Sequence, residues 1–225
     1  MKIALLILTY NEIQGMKEIF PKIDKKLFSE ILIVDGGSND GTIEFAKKHK
    51  IKFIIQKNKG LGSAYVEGIS LIKSDVIVLF SPDGNSDLTR MKDLIELMKT
   101  GCQIGIVSRY KDWAKSEDDD LITGFGNWMF TLFFNLIFKQ KVTDLLVIYR
   151  AFRREIVYDL NINHGGIAWT TQMMCRAAKN SYVIKEIPGD EPPRIGGIRK
   201  MQPLKNGLAE LIMLSKEFLR FKKDA

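Results

Sequence analysis

Short apolar runs alternate with amphipathic stretches through the first half of the chain. Runs at 3–8, 31–34, 52–55, 76–80 and 103–107 have the length and composition of buried strands. Between them, apolar residues at helical spacing predict helices over 12–19, 41–49, 62–72 and 88–99. This is the pattern of βαβ units, whose right-handed crossovers place helices on the faces of a parallel sheet. Beyond residue 110 the pattern changes. A polar, acidic loop at 111–120 precedes a stretch over 121–138 without a charged residue, followed by a predicted strand at 144–149, helices at 153–160 and 167–179, and a strand at 181–187. Residues 188–203 are rich in Pro, Gly and Arg and predict a loop, and 204–221 return to helical spacing.

Three acids follow three of the predicted strands: Glu12, Asp35 and Asp83. If those strands lie side by side, the three carboxylates open onto one edge of one sheet, the carboxyl-end edge where open α/β sheets bind ligands. Asp35 begins the run Asp35-Gly36-Gly37-Ser38-Asn39-Asp40-Gly41-Thr42, which is neither a GxGxxG fingerprint nor a P-loop. Its glycines allow tight turns beside a ligand, and its plainer reading is a strand-to-helix turn capped by Asp40 or Thr42. Asp83, Asn85 and Asp87 have the opening spacing of a calcium loop, but Leu88 and Leu94 stand where that loop needs glycine and glutamate. A single strand-end carboxylate can still hold Mg²⁺ when substrate phosphates supply other oxygens, while Asp87 is expected to cap a helix beginning at Leu88.

Composition narrows the partners. The 225 residues are 45% apolar and 27% charged, which excludes disordered and fibrous classes and suits one α/β domain with a small appendage. The net charge of +7 points to anionic partners. Most of it lies in the tail, where Arg194, Arg199, Lys200, Lys205, Lys216, Arg220, Lys222 and Lys223 face only Glu210 and Glu217. The tail has no recognised nucleic-acid motif, so nucleotide phosphates and lipid head groups are favoured over nucleic acid. Cys102 and Cys175 have no metal-ligand spacing and read as buried thiols of a reducing, cytoplasmic compartment. The first apolar run is too short for a signal peptide, and 121–138 falls just short of the ~20 residues of a spanning helix, with Gly124, Gly126, Asn127 and Asn135 interrupting it. A soluble or peripheral membrane protein is expected.

Several motifs in order carry a resemblance. They are Leu8-Thr9-Tyr10-Asn11-Glu12, the 34–42 run, Gly60-Leu61-Gly62-Ser63-Ala64-Tyr65, Ser81-Pro82-Asp83, Ser108-Arg109-Tyr110, Thr143-Asp144, Arg150 and Arg194-Ile195-Gly196-Gly197-Ile198-Arg199-Lys200. Together they resemble glycosyltransferase family 2, and most of all its polyprenyl-phosphate sugar synthases, the dolichyl-phosphate mannose synthase group. Where that group has Asp-x-Asp, this chain has Ser81-Pro82-Asp83, leaving one carboxylate, and where it has Ser-Gly-Phe-Arg the chain has Val147-Ile148-Tyr149-Arg150.

The resemblance implies an α/β fold of GT-A type over 1–200 and a basic amphipathic helix over 201–225. It also implies an inverting transferase with a UDP- or GDP-sugar donor and a divalent metal, Mg²⁺ or Mn²⁺. By motif, Thr9, Tyr10, Glu12, Asp35 and Ser81 would hold the nucleotide, and Asp83 and Asn85 the metal. Arg109, Arg194 and Lys200 would meet phosphates of donor or acceptor. A polyprenyl phosphate is the expected acceptor, because its oxygen is already nucleophilic, and Gln172 stands where many hydroxyl-transferring members show an acid. Transfer to a sugar hydroxyl is the alternative and needs a base such as Asp144 or His164. A nucleotide-binding membrane-surface scaffold without turnover is the alternative from another class. The aromatic group Trp128, Phe130, Phe133 and Phe134 suits either a lipid tail or core packing.

Overall fold

The computed structural model of the chain describes residues 1–196 and 202–224, apart from the side chains of 221–224. Seven strands form one mixed sheet: β1 (Ile3–Thr9), β2 (Glu30–Asp35), β3 (Lys52–Ile55), β4 (Val76–Phe80), β5 (Ile104–Ser108), β6 (Arg150–Arg153) and β7 (Ile184–Pro188), in the order β3-β2-β1-β4-β6-β5-β7. All neighbouring pairs are parallel except those of β6, which runs antiparallel between β4 and β5. β4 and β5 are buried at every position, as expected of strands covered on both faces.

Among the described residues eight α-helices accompany them: α1 (Ile13–Ile19), α2 (Thr42–Lys48), α3 (Leu61–Leu71), α4 (Arg90–Lys99), α5 (Leu121–Phe138), α6 (Glu155–Asp159), α7 (Trp169–Lys179) and, after the last strand, α8 (Pro203–Asp224). The chain leaves β1 toward β2 and β3, then returns to place β4 on the other side of β1. That reversal between β1 and β4 opens a crevice at their carboxyl ends.

The predicted strand at 144–149 is not one. Its backbone is bound by side chains instead: Asn127 Oδ1 accepts from Leu146 N, Thr131 Oγ1 from Leu145 N, and the Glu186 carboxylate from the N–H groups of Thr143 and Asp144. Asn135 likewise pairs with both backbone groups of Val142. Asn127, Thr131 and Asn135, spaced four apart, thus form one polar stripe of α5 that fastens the following loop. Gly41 holds the N-cap position of α2, while Asp40 Oδ1 accepts from the N–H of Thr42, the first residue of the helix, at 3.0 Å, and Asp87 accepts from Thr89 N in a turn that precedes α4 at Arg90.

α8 is not uniformly amphipathic. Glu210, Met213, Leu214 and Glu217 form a buried stripe, whereas Leu204, Leu208, Leu211, Ile212 and Leu219 are exposed. Arg176 of α7 donates to Glu217 from Nε (3.0 Å) and Nη2 (2.8 Å), tying the two helices together. α5 repeats the arrangement: Asn127, Phe130, Thr131, Phe134 and Phe138 face inward, and Leu121, Ile122, Phe125, Trp128 and Leu136 are more than half exposed. The helix is long and apolar enough to cross a membrane, with 28% of its residues buried.

Candidate active site

The turn after β1 is built by the loop after β2. Asn11 adopts a left-handed backbone (φ 56°), and its N–H donates to Ser38 Oγ at 2.8 Å. Thr42 Oγ1 accepts from Glu12 N at 3.0 Å, and Asp40 Oδ2 from Ile13 N at 3.0 Å. Asp35 stands opposite Thr9 in the β1–β2 register, and its carboxylate accepts from Thr9 Oγ1 (2.6 Å), Gly37 N (2.8 Å), Ser38 N (2.6 Å) and Ser38 Oγ (2.7 Å). Four donors fill the acceptor sites of one carboxylate. At 1% exposure Asp35 stands behind the cleft wall, so its place is to brace the turn that presents Tyr10 and Glu12.

One continuous cleft of about 1170 Å³ opens at the carboxyl ends of β1 and β4. Thr9, Tyr10, Glu12, Ser81, Asp83, Asn85, Arg109 and Arg194 line its polar part. Lys59, Glu191 and Glu210 also line it, and the sequence patterns did not single them out. Arg194 joins the two acids of the neighbouring strand ends, with Nη2 at 2.9 Å from Asp83 Oδ2 and 3.6 Å from Glu12 Oε1. Lys200 lies outside the described residues.

Arg109 does not stand ready for a phosphate. Its Nε and Nη2 donate to Asp144 (2.7 and 3.0 Å) and its Nη1 to Glu191 (3.1 Å) and Asp119 (3.3 Å). Burial works against its charge, yet Asp144 and Glu191 hold the guanidinium well above its ordinary pKa. One cation among three carboxylates leaves the spot net negative, which opposes a further anion. Burial also raises Glu191, although Arg109 and Ser116 lower it in part. Of the two bases considered for a hydroxyl acceptor, Asp144 is fully buried and paired to Arg109. His164 does not line the cleft, and burial, with Lys216 nearby, lowers its pKa. Gln172 accepts from the N–H groups of Asn163 and His164, so it shapes that loop.

Among the described residues no group of three or more His, Cys, Asp or Glu could hold a metal by itself. Asp83 and Asn85 each carry a hard side-chain oxygen in this loop; the Asn85 backbone N–H lies 3.4 Å from Asp83 Oδ1, its amide Nδ2 3.4 Å from Glu191, and the Asp83 carboxylate already attracts a cation in Arg194. That donor set fits Mg²⁺ or Mn²⁺ if a substrate supplies further oxygens.

Where α5 and α8 line it the cleft is mainly apolar, with Asn127 and Glu210 among its polar exceptions. Ile122, Phe125, Met129 and Phe130 of α5 face Leu204, Gly207, Leu208 and Leu211 of α8. A Cβ at Gly207 would be in ordinary van der Waals contact with the Phe130 ring at 3.9 Å, where the two helices approach. The exposed stripes of both helices continue this lining to the surface.

Residues 4–160 match the model of glycosyl transferase family 2. The chain belongs to that family. It is 27% identical over 207 residues to glycosyltransferase AglJ of Haloferax volcanii, covering 91% of this chain and 68% of that protein. It is 30% identical over 207 residues to the dolichol-phosphate mannosyltransferase of Pyrococcus furiosus, covering 84% of this chain but only 56% of that enzyme. A dolichyl-phosphate hexose transferase of Haloferax volcanii is 26% identical, with 92% and 90% covered. In fold it resembles glucosyl-3-phosphoglycerate synthase of Mycobacterium tuberculosis, solved with Mn²⁺, UDP and phosphoglyceric acid, at a TM-score of 0.77 and 15% identity over 96% of this chain and 78% of that one. The fold is thus of GT-A type, and the chain is a glycosyltransferase.

Proposed function

We propose that this family 2 enzyme moves a sugar from a nucleotide-diphosphate sugar to a polyprenyl phosphate at a membrane surface. The observation that carries the reading is the continuity of the cleft. Its polar part at Asp83 and Arg194 leads directly into an apolar groove between α5 and α8, whose outer stripes are exposed. A ligand suited to this shape has a phosphate joined to a long hydrocarbon. The relatives named for dolichol phosphate favour the same acceptor.

In this reading Tyr10, Thr9, Glu12 and Ser81 receive the nucleotide, and Asp35 acts on it through the turn it braces. Asp83 and Asn85 would hold a Mg²⁺ or Mn²⁺ ion, which supplies positive charge where the diphosphate leaves. Arg194 adds a second cation at the same place, and Lys200 is proposed to join it. Arg109 keeps Asp144 and Glu191 in position. The phosphate oxygen of the acceptor attacks without deprotonation, so the chemistry rests on positioning and electrostatics.

Exposed Lys205, Lys216 and Arg220 on α8 suit anionic head groups, at about 1 kcal/mol each. Together with the apolar stripes they suit a peripheral attachment of the 1–200 domain through residues 201–225. Acceptor phosphates of increasing isoprenoid length test the groove. KM is expected to fall as the chain lengthens until the α5–α8 groove is filled, and a KM independent of chain length would overturn the assignment.

A further inference from the structure

We propose that Arg194 is a built-in counter-cation that competes with the divalent ion for Asp83 and Glu12, so that the ion binds tightly only together with a nucleoside diphosphate. This inference rests on the reading of Asp83 as the metal-binding carboxylate.

Glu12 and Asp83 are 8% and 4% exposed, and Arg194 Nη2 lies between them. Two neighbouring carboxylates withdrawn from water favour a cation at that position. The next residue fixes Arg194 in place, because Ile195 N–H donates to the Asp83 carbonyl at 2.8 Å. The loop can lie so close because residue 84 is glycine, with φ +88° and its missing Cβ position overlapped by the Ile195 side chain. A divalent ion held by Asp83 would add its charge beside a carboxylate whose Oδ2 already has a guanidinium nitrogen at 2.9 Å. The two positive charges then repel across a few ångströms, so each weakens the other's hold on the carboxylate.

A diphosphate removes the conflict, because its oxygens can receive both cations. Arg194 is equipped for that transfer: among the described residues its buried Nε has no hydrogen-bond partner, and the residue lines the cleft. The predicted order is therefore nucleotide and metal together, with Arg194 moving from the carboxylates to phosphate oxygens.

The test is Mn²⁺ binding followed by the free-ion electron paramagnetic resonance signal, with and without UDP or GDP, on wild type, Arg194→Gln, Arg194→Lys and Asp83→Asn. With Mn²⁺ alone, Arg194→Gln is expected to bind about tenfold more tightly than wild type, a usual size for coupling between two sites. Arg194→Lys, which keeps the charge, should stay near wild type. Adding nucleotide should raise Mn²⁺ affinity more in wild type than in Arg194→Gln. Equal Mn²⁺-alone affinities in wild type and Arg194→Gln, with normal binding in the presence of nucleotide, overturn the proposal and leave the metal reading standing. Mn²⁺ binding that Asp83→Asn leaves unchanged overturns the metal reading itself.

Discussion

Gly15 of α1 lies against the carbonyl of Pro82 so closely that a Cβ at position 15 would overlap that oxygen. This contact brings the turn ending in Glu12 and the loop carrying Asp83 to one place. The obstacle is backbone, which cannot rotate aside as a long side chain can. Gly15→Ala should therefore push the 81–85 loop outward, costing about 1–3 kcal/mol, the usual range for overpacking. Nucleotide binding should fall with it. Urea unfolding and nucleotide titration check both, and wild-type affinity in a folded Gly15→Ala protein would separate the contact from the site.

Glu210 gives the stability a definite pH dependence. It is 5% exposed, and burial raises its pKa from 4.5 to about 7, even with the Thr171 hydroxyl and Arg150 nearby. A carboxyl raised in the folded state binds its proton more tightly there than in the unfolded chain. Its contribution is fully present below pH 4.5 and is lost as pH rises through about 7. The loss is on the order of 3 kcal/mol. Glu210→Gln should remove it, so the variant gains on wild type between pH 4.5 and 8. A constant difference across that range would show that Glu210 titrates normally.

Glu217 should behave differently, because it is a partner rather than an isolated acid. Glu217→Ala leaves Arg176 buried beside α8 with its main counter-charge removed, and a loss of about 3 kcal/mol is expected. Urea unfolding at neutral pH measures it. A loss below about 1 kcal/mol would mean that the apolar contacts of Met213 and Leu214 dock the helix by themselves.

Much of this organisation was legible from the sequence. The first five strands and four helices follow their apolar periods, and Thr9, Tyr10, Glu12, Ser81, Asp83, Asn85, Arg109 and Arg194 do line one cleft. Three things were not legible. Residues 144–149 look like a strand by composition, yet α5 and Glu186 satisfy their backbone, and period alone cannot see a partner in another element. Arg109 looked available because its carboxylates, Asp119, Asp144 and Glu191, are scattered over the chain. The buried face of α8 was not legible either, because Glu210 and Glu217, which share it with Met213 and Leu214, read as solvent-facing positions and the partner of Glu217, Arg176, lies in α7.

The outward stripe of α8 should matter to lipid and not to folding. Leu208 and Ile212 are 59% and 58% exposed. Replacing both by Glu should change stability by no more than about 0.5 kcal/mol per site, as surface substitutions do. Flotation with anionic vesicles should fall sharply, and transfer to a lipid acceptor with it. Unaltered flotation would assign the stripe to another contact.

The most direct measurement offers the purified chain a labelled UDP- or GDP-sugar with Mn²⁺ and, in the same vessel, vesicles containing polyprenyl phosphate and a soluble oligosaccharide. The label should pass into the organic-extractable lipid, require the phosphate on that lipid, and be absent with Asp83→Ala. Label passing instead to the soluble sugar, with none in the lipid, would contradict the account.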